Sequence, residues 1–186
     1  MKKLLGIVAL VLLSISNVNS EERDSKLDKL FSQLKDTKDL PVAQVIENKI
    51  WDIWQIHPSD DRRGFRLTEL LIQGTRLMNM KELSKAYEVF TKIIAVENDW
   101  AEAWNKRATT LYLMDQYQSS LNDIKITLAL EPRHFGALSG QARIYIKLEE
   151  YEKAILSLKK ALKFYPSFKS GELIPEIEKI IKEQII

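Results

Sequence analysis

Small and large apolar side chains recur along this chain at a fixed spacing. Gly74, Ala108 and Ala142 follow one another at equal intervals. The same interval separates several other sets, namely Leu83, Tyr117 and Tyr151; Ala86, Ser120 and Ala154; Phe90, Ile124 and Leu158; and Asn98, Pro132 and Pro166. The sequence therefore contains an internal repeat of three units.

Each recurring position has a packing role in a pair of antiparallel helices. Small residues let two helices approach closely, large apolar residues fill the space beside them, and proline ends the second helix because it lacks a backbone donor. Phe90 and Trp104 are expected in the core. A period of 34 is typical of the tetratricopeptide repeat, so the sequence predicts an all-α solenoid of three helix-turn-helix repeats. The three repeats are 67–100, 101–134 and 135–168, in a unit spanning 65–168.

Helical periodicity continues on both sides of the repeats. Apolar residues at helical spacing in 169–186 predict a helix that caps the last repeat. Residues 21–64 predict a pair of helices, which could be a degenerate fourth repeat, followed by a charged joint at 58–64. Trp51 and Trp54 lie on a different side of the second helix from its aliphatic residues, which implies packing on both sides.

The first twenty residues have the pattern of a secretory signal peptide. Two lysines precede a predominantly apolar run of twelve residues at 4–15, and the small residues Val18 and Ser20 suit the −3 and −1 positions of a cleavage site. A run of twelve is too short to span a bilayer. We therefore expect residues 1–20 to be cleaved and the remaining chain to be periplasmic or secreted, without an integral membrane span. The alternative is that the segment stays uncleaved as a membrane anchor.

Charge and composition exclude several classes of function. The 186 residues include 28 Lys and Arg and 26 Asp and Glu, and loss of Lys2 and Lys3 with the signal leaves 26 of each sign. A neutral chain argues against nucleic acid as a partner. The absence of Cys excludes thiolate metal sites, and His57 and His134 are not at metal-ligand spacing. No phosphate loop or nucleophile elbow occurs, so we expect no catalysis, no metal and no cofactor.

The first helix of each repeat is expected to line a concave groove. Groove positions include Leu71 and Met78 in the first repeat and Glu102 in the second. Asn105 and Arg143 have groups that can bind a peptide backbone or carboxylate. Alternatively, they belong to an exposed polar face with salt bridges to Glu102 or Glu149. The predicted peptide-binding residues are Asn105, Lys106, Thr109, Tyr112, Gly136, Ser139, Gly140 and Arg143.

Gly136 and Gly140 are unusual because they lie one turn apart in a predicted helix. Each costs roughly 1 kcal/mol of helix stability relative to alanine, so a compensating gain is expected. One hypothesis is that bare backbone lets a ligand approach the groove floor. The other is tight packing against the neighbouring helix.

Two stretches resemble a narrower group of proteins. The segments 104–109 (WNKRAT) and 131–140 (EPRHFGALSG) are similar to small exported tetratricopeptide proteins of alphaproteobacteria. The resemblance implies a periplasmic location and a binding role, without a defined ligand. Repeats that clamp chaperone carboxyl termini carry Lys, Asn and Arg where this chain has Leu71, Thr75, Gly136 and Gly140, so that ligand is not expected.

The sequence thus predicts a non-catalytic scaffold or adaptor that holds another protein or peptide in its groove. The alternative is a self-associating component of an envelope assembly, in which the Ile-rich end of the chain docks into another copy.

Overall fold

The computed structural model describes residues 21–184, and every regular element in that range is helical. Residues 1–20, with the predicted signal peptide, lie outside the described residues, as do the last two residues of the predicted capping helix. Helix α1 covers residues 21–36. The other elements are α2 (Leu40–Gln55), α3 (Arg62–Asn79), α4 (Leu83–Val96), α5 (Ala101–Leu113), α6 (Tyr117–Leu130), α7 (Phe135–Lys147), α8 (Tyr151–Phe164), a 3-10 helix (Lys169–Glu172) and α9 (Leu173–Gln184). The predicted all-α fold is confirmed.

Three helical hairpins, α3/α4, α5/α6 and α7/α8, share one turn geometry. In each turn a single residue has left-handed backbone, at Lys81 (φ 64°), Asp115 (φ 58°) and Glu149 (φ 59°). The amide of the next residue donates to the carbonyl five positions earlier, which satisfies the end of the first helix. These three turns recur at the interval that separates the repeated side chains, so the backbone and the sequence have the same period.

Small residues bring the two helices of each hairpin together. An ideal Cβ on Gly74 would lie 2.6 Å from Phe90 Cε1, so glycine is required for this contact. Ala86, Ala108 and Ala142 are likewise buried. Side-chain volume at these positions therefore sets the distance between the helices, as the repeat predicts.

Two details differ from the sequence-based prediction. Trp104 is only partly buried, because its indole N–H donates to the Asn98 carbonyl at the turn (2.9 Å); the buried indole nearby is Trp100. Helix α3 begins at Arg62, before the predicted repeat boundary at residue 67. It begins there because the Asp61 carboxylate caps it, accepting from the Gly64 amide at 2.7 Å.

Helices α1 and α2 pack across the repeats and do not extend the stack in front of α3. Their apolar side chains form one cluster with the start of α7 and the end of α8. The Trp54 ring stacks on His134 at 4.1 Å, and the Trp54 carbonyl accepts from the Trp100 indole at 3.0 Å. This pair is therefore not arranged as a fourth repeat in line with the others. Cluster members from both parts are Leu27, Phe31, Leu34, Ile46, Ile50, Trp54, Phe135, Leu138, Ala161 and Tyr165.

Helix α9 caps the last repeat, as predicted. Ile177 is 3% exposed and packs with Ala154 and Leu158 of α8, and Leu173 and Ile181 pack beside it. The apolar face of α8 is thereby removed from water. None of the helices in residues 21–184 is long and apolar enough to cross a membrane.

A candidate ligand pocket between α5 and α7

A pocket of about 470 Å³ opens between α5 and α7. Seven of the eight predicted binding residues line it, and the exception is Lys106. The pocket also has walls that come from α2 and from the segment after α8. Lining residues from the prediction are Asn105, Thr109, Tyr112, Gly136, Ser139, Gly140 and Arg143; the others are Glu47, Trp51, Ala108, Leu113, Ser120, Ile124, Ala137, Ile144, Phe168 and Ser170.

The floor of the pocket is apolar and its rim is polar. Ala108, Ile124 and Ile144 are each at most 2% exposed and belong to one core cluster beneath the opening. Around the rim, the Ser139 and Ser170 hydroxyls are 2.9 Å apart. An apolar group can be desolvated on this floor while a polar backbone keeps hydrogen bonds at the rim, which is the usual composition of a ligand site.

The two glycines of α7 have different steric surroundings. An ideal Cβ on Gly136 would lie 2.5 Å from Trp51 Cη2, so Gly136 is explained by tight packing. The packing partner is a ring from α2 and not the neighbouring repeat helix. A Cβ on Gly140 would meet only Ile124 Cδ1, at an ordinary 3.8 Å. Packing does not require glycine there, and its bare backbone leaves the pocket open.

Beside the pocket, the side chain of Glu102 is buried and surrounded by donors. The His134 Nε2 lies 3.0 Å from Oε2, the Asn105 amide donates to Oε2 at 2.9 Å, and the Lys106 ammonium lies 3.2 Å from Oε1. Burial acts to raise the pKa of Glu102, but the His134 hydrogen bond and the Lys106 charge outweigh it, and the pKa is lowered. The carboxylate is therefore held ionised inside the fold.

This network changes the roles that the sequence suggested. Glu102 was predicted to face the groove, but it is 1% exposed and faces the interior. Lys106 pairs with Glu102 and does not line the pocket. Asn105 lines the pocket, yet one of the two N–H groups of its amide is already used by Glu102. Asn105 therefore contacts Glu102, as the alternative suggested, but it does so through a hydrogen bond inside the fold and not on an exposed face.

His134 joins the repeats to the N-terminal pair. Its Nδ1 accepts from the Ala137 amide at 3.1 Å, which caps α7. The proton of the neutral ring is therefore on Nε2, from which it is donated to Glu102. One face of the ring stacks on Trp54. These contacts make His134 a capping and packing residue.

Glu47 and Trp51 of α2 are pocket residues that sequence reasoning missed. Glu47 Oε2 accepts from the Tyr165 hydroxyl at 3.1 Å, and Oε1 accepts from the Trp51 indole at 3.3 Å. Burial and the Glu47 carboxylate raise the pKa of Tyr165 to about 12, so this phenol stays protonated and donates. The sequence placed Trp51 and Trp54 together on a second side of α2, but Trp54 packs in one cluster with Ile50. Only Trp51 lies on the second side that was predicted, and the pattern did not identify its partner.

Arg143 lies two turns along α7 from Gly136 and is exposed. The alternative predicted for it was an exposed polar face with a salt bridge, such as one to Glu149. None of the ion pairs formed within residues 21–184 includes Arg143. Its guanidinium can therefore meet an acceptor on a ligand.

The groove positions of the first repeat lie apart from this pocket. Leu71, Ile72 and Thr75 line a separate depression of about 400 Å³ that also includes Gln55 of α2. Leu71 and Met78, predicted to point into the groove, are mainly buried. Residues 21–184 contain no group of three or more His, Asp or Glu side chains placed to hold a metal ion.

Comparisons with known proteins agree with this architecture. The tetratricopeptide repeat family matches residues 135–168. A TPR repeat-containing protein of Rhizobium etli is 33% identical over 162 residues, covering 84% of this chain and 77% of the relative. The resemblance to tetratricopeptide proteins of alphaproteobacteria is thereby confirmed.

Solved structures share the fold. The first TPR domain of Spaghetti (RPAP3), bound to the HSP90 peptide SRMEEVD, has a TM-score of 0.59 at 16% identity, covering 62% of this chain and 93% of that one. MamA has a TM-score of 0.56 at 18% identity, covering 91% and 86%. At these identities the likeness shows the fold alone.

Proposed function

The chain belongs to the family of tetratricopeptide-repeat proteins, and from this premise we propose that it is a non-catalytic scaffold that binds a peptide segment of another protein in the α5/α7 pocket. The observation that carries the proposal is the open backbone at Gly140, above an apolar floor and between polar rims. Support also comes from the Spaghetti domain, a protein of this fold that binds a peptide.

The pocket suits an apolar side chain with its flanking backbone. Above the buried floor, Tyr112, Leu113 and Phe168 offer accessible apolar surface, where burying one aliphatic side chain stabilises a complex by about 1.5–3 kcal/mol. Thr109 and Ser139 carry hydroxyls at the rim that can pair with backbone groups. Affinity then depends on the apolar contact, and orientation depends on the rim.

A carboxylate clamp of the chaperone-binding kind is not proposed. Two of the positions that would need cationic side chains are Gly136 and Gly140, and Gly136 is covered by Trp51. The proposed location is the periplasm, which follows from the signal-like pattern in residues 1–20.

Self-association through the C-terminal helix is the less favoured function. Ile177, Leu173 and Ile181 of α9 pack on the chain's own last repeat. The same side chains cannot also be the docking surface for another copy without uncovering α8.

Affinity capture with matched variants tests the proposal. Baits are the purified protein, Gly140→Leu, which fills the pocket, and Arg143→Glu, which reverses the charge at its rim. Lys160→Glu is the control, since it makes the same charge change at an exposed position of α8 outside the pocket. We expect a partner in envelope extract to bind wild type and the control and to be lost from both pocket variants.

Helical content of each bait is measured first by circular dichroism. If the folded pocket variants capture the same proteins as wild type, the ligand binds elsewhere and the proposal is refuted. The separate depression around Ile72 and Thr75 would then be the next surface to test.

A further inference from the structure

Glu47 gives the pocket a negative charge that no basic side chain neutralises within residues 21–184. Its carboxylate accepts from Tyr165 and Trp51 and from the amide of Gln44 at 3.1 Å. All three donors are uncharged, and Glu47 is in none of the ion pairs of the described chain. These donors fix the orientation of the carboxylate and leave its charge uncompensated.

A cation close to this wall, Lys106, is already paired with another carboxylate. Lys106 lies 5.9 Å from the Trp51 ring centroid, but its ammonium is held by Glu102. Trp51 and Phe168 both line the pocket, and Tyr165 packs on Phe168 with ring centroids 5.3 Å apart. A carboxylate with aromatic rings around it favours a cationic group, because ion pairing and cation–π attraction act together.

The opposite end of the pocket carries a positive charge. Gly136, which contacts Trp51, and Arg143 are two turns apart on α7, or about 10 Å along the helix axis. Extended peptide spans about 3.3–3.6 Å per residue. Three extended residues therefore cover the length of α7 between Gly136, beside Trp51, and Arg143.

We propose that the pocket binds a short peptide segment with an ammonium group at Glu47 and a carboxylate about three residues away at Arg143. The apolar part between them lies against the accessible apolar side chains of Tyr112 and Leu113, above the buried floor of the pocket. This inference rests on the proposed peptide-binding function and specifies its ligand. The ammonium can be a free amino terminus or a lysine side chain, which share the same chemistry.

Four synthetic tripeptides with related apolar bodies test the inference. Trileucine has both charges, N-acetyl-trileucine lacks the ammonium, and trileucine amide lacks the carboxylate. N-acetyl-Lys-Leu-Leu restores an ammonium on a side chain. Binding is measured from 15N amide shifts of the purified protein, with Thr109, Ser139 and Gly140 as reporters of the pocket. We expect trileucine to bind about tenfold more tightly than its acetylated form, the ratio for one charge-assisted contact.

Variants assign each charge to its residue. Glu47→Gln should remove the preference for trileucine over N-acetyl-trileucine, and Arg143→Gln should remove the preference over the amide. Asp52→Asn is the control, because it removes one negative charge from an exposed position of α2 outside the pocket, and both preferences should persist. If N-acetyl-Lys-Leu-Leu matches trileucine, a lysine side chain can supply the ammonium; if it matches N-acetyl-trileucine, a free terminus is required.

Two results would overturn the inference. Equal affinity for trileucine and its acetylated form would show that Glu47 does not select a cation, while the peptide-binding function would stand. Absence of reporter shifts with all four probes would reject this ligand class. The proposed function itself is decided separately, by whether the pocket variants lose the captured partner.

Discussion

Alanine substitution at the two glycines of α7 should change stability in opposite directions. Both sites are in the same helix, one turn apart, so the gain in helix propensity is the same, at about 0.8–1 kcal/mol. At Gly140 the new methyl group meets only Ile124 Cδ1 at 3.8 Å. Gly140→Ala should therefore stabilise the fold by most of that gain.

At Gly136 the same methyl group would overlap the Trp51 ring, with Cη2 at 2.5 Å and Cζ2 at 2.9 Å. The ring cannot easily move, because Trp54, His134 and Phe135 contact it with centroids 5.3–5.5 Å away. Overpacking of this kind costs typically about 1–3 kcal/mol. After subtraction of the propensity gain, Gly136→Ala should destabilise the fold by up to about 2 kcal/mol.

Equilibrium unfolding in urea, followed by helical circular dichroism, measures both effects. With a slope of about 2 kcal/mol/M, Gly140→Ala should raise the midpoint by about 0.4–0.5 M and Gly136→Ala should lower it by up to about 1 M. In a Trp51→Leu background, Gly136→Ala should lose most of its cost, since the ring is gone. Equal midpoint shifts for the two single variants would refute the reasoning, because contact with Trp51 would then not be the reason that position 136 requires glycine.

Three further predictions concern the buried contacts. Glu102→Gln should lower the free energy of unfolding by about 1–3 kcal/mol at neutral pH. Because folding lowers the pKa of Glu102 from 4.5, this advantage of the wild type is present above pH 4.5 and is lost as the pH falls through the pKa of the folded protein. The urea midpoints of the two proteins should therefore converge in acid, and a constant gap between them would contradict the argument. In the same assay, Ile177→Ala should lower the free energy of unfolding by about 2–5 kcal/mol. Ile180→Ala, at a site that is 36% exposed, should lower it by less than about 0.5 kcal/mol. Equal losses for the two variants would show that α9 is not a cap. Trp100→Phe removes the donor to the Trp54 carbonyl and should lower the free energy of unfolding by about 1–3 kcal/mol, which thermal unfolding measures. An unchanged melting temperature would show that this hydrogen bond does not stabilise the fold.

The repeats could be predicted because their contacts are local and recur. Gly74 and Phe90 are close in sequence and meet within one hairpin, and the equivalent pairs follow at the repeat interval. The left-handed turn residues were not predictable from their type, since Lys81, Asp115 and Glu149 are not glycine. The only indication of these turns in the sequence was that they recur at the interval of the repeat.

The pocket could be placed because groove positions depend on the register of the repeat. Once the register was known, the side of each helix that faces the groove followed from the helical periodicity. Lys106 departs from this pattern because a buried carboxylate holds its ammonium. A glutamate at a groove position gives no sign in sequence that another helix will bury it.

The position of α2 could not be predicted, although the sequence held both halves of the contact. Gly136 signalled that something closely approaches α7, and Trp51 signalled that α2 packs on a second side. These two residues are far apart in the sequence and no periodicity links them, so only the folded chain pairs them. It follows that the repeats fix the floor of the pocket while α2 fixes one wall and, through Glu47, its charge. Substitutions confined to the pocket-facing side of α2 should therefore change which ligand is bound without altering any residue of the repeats.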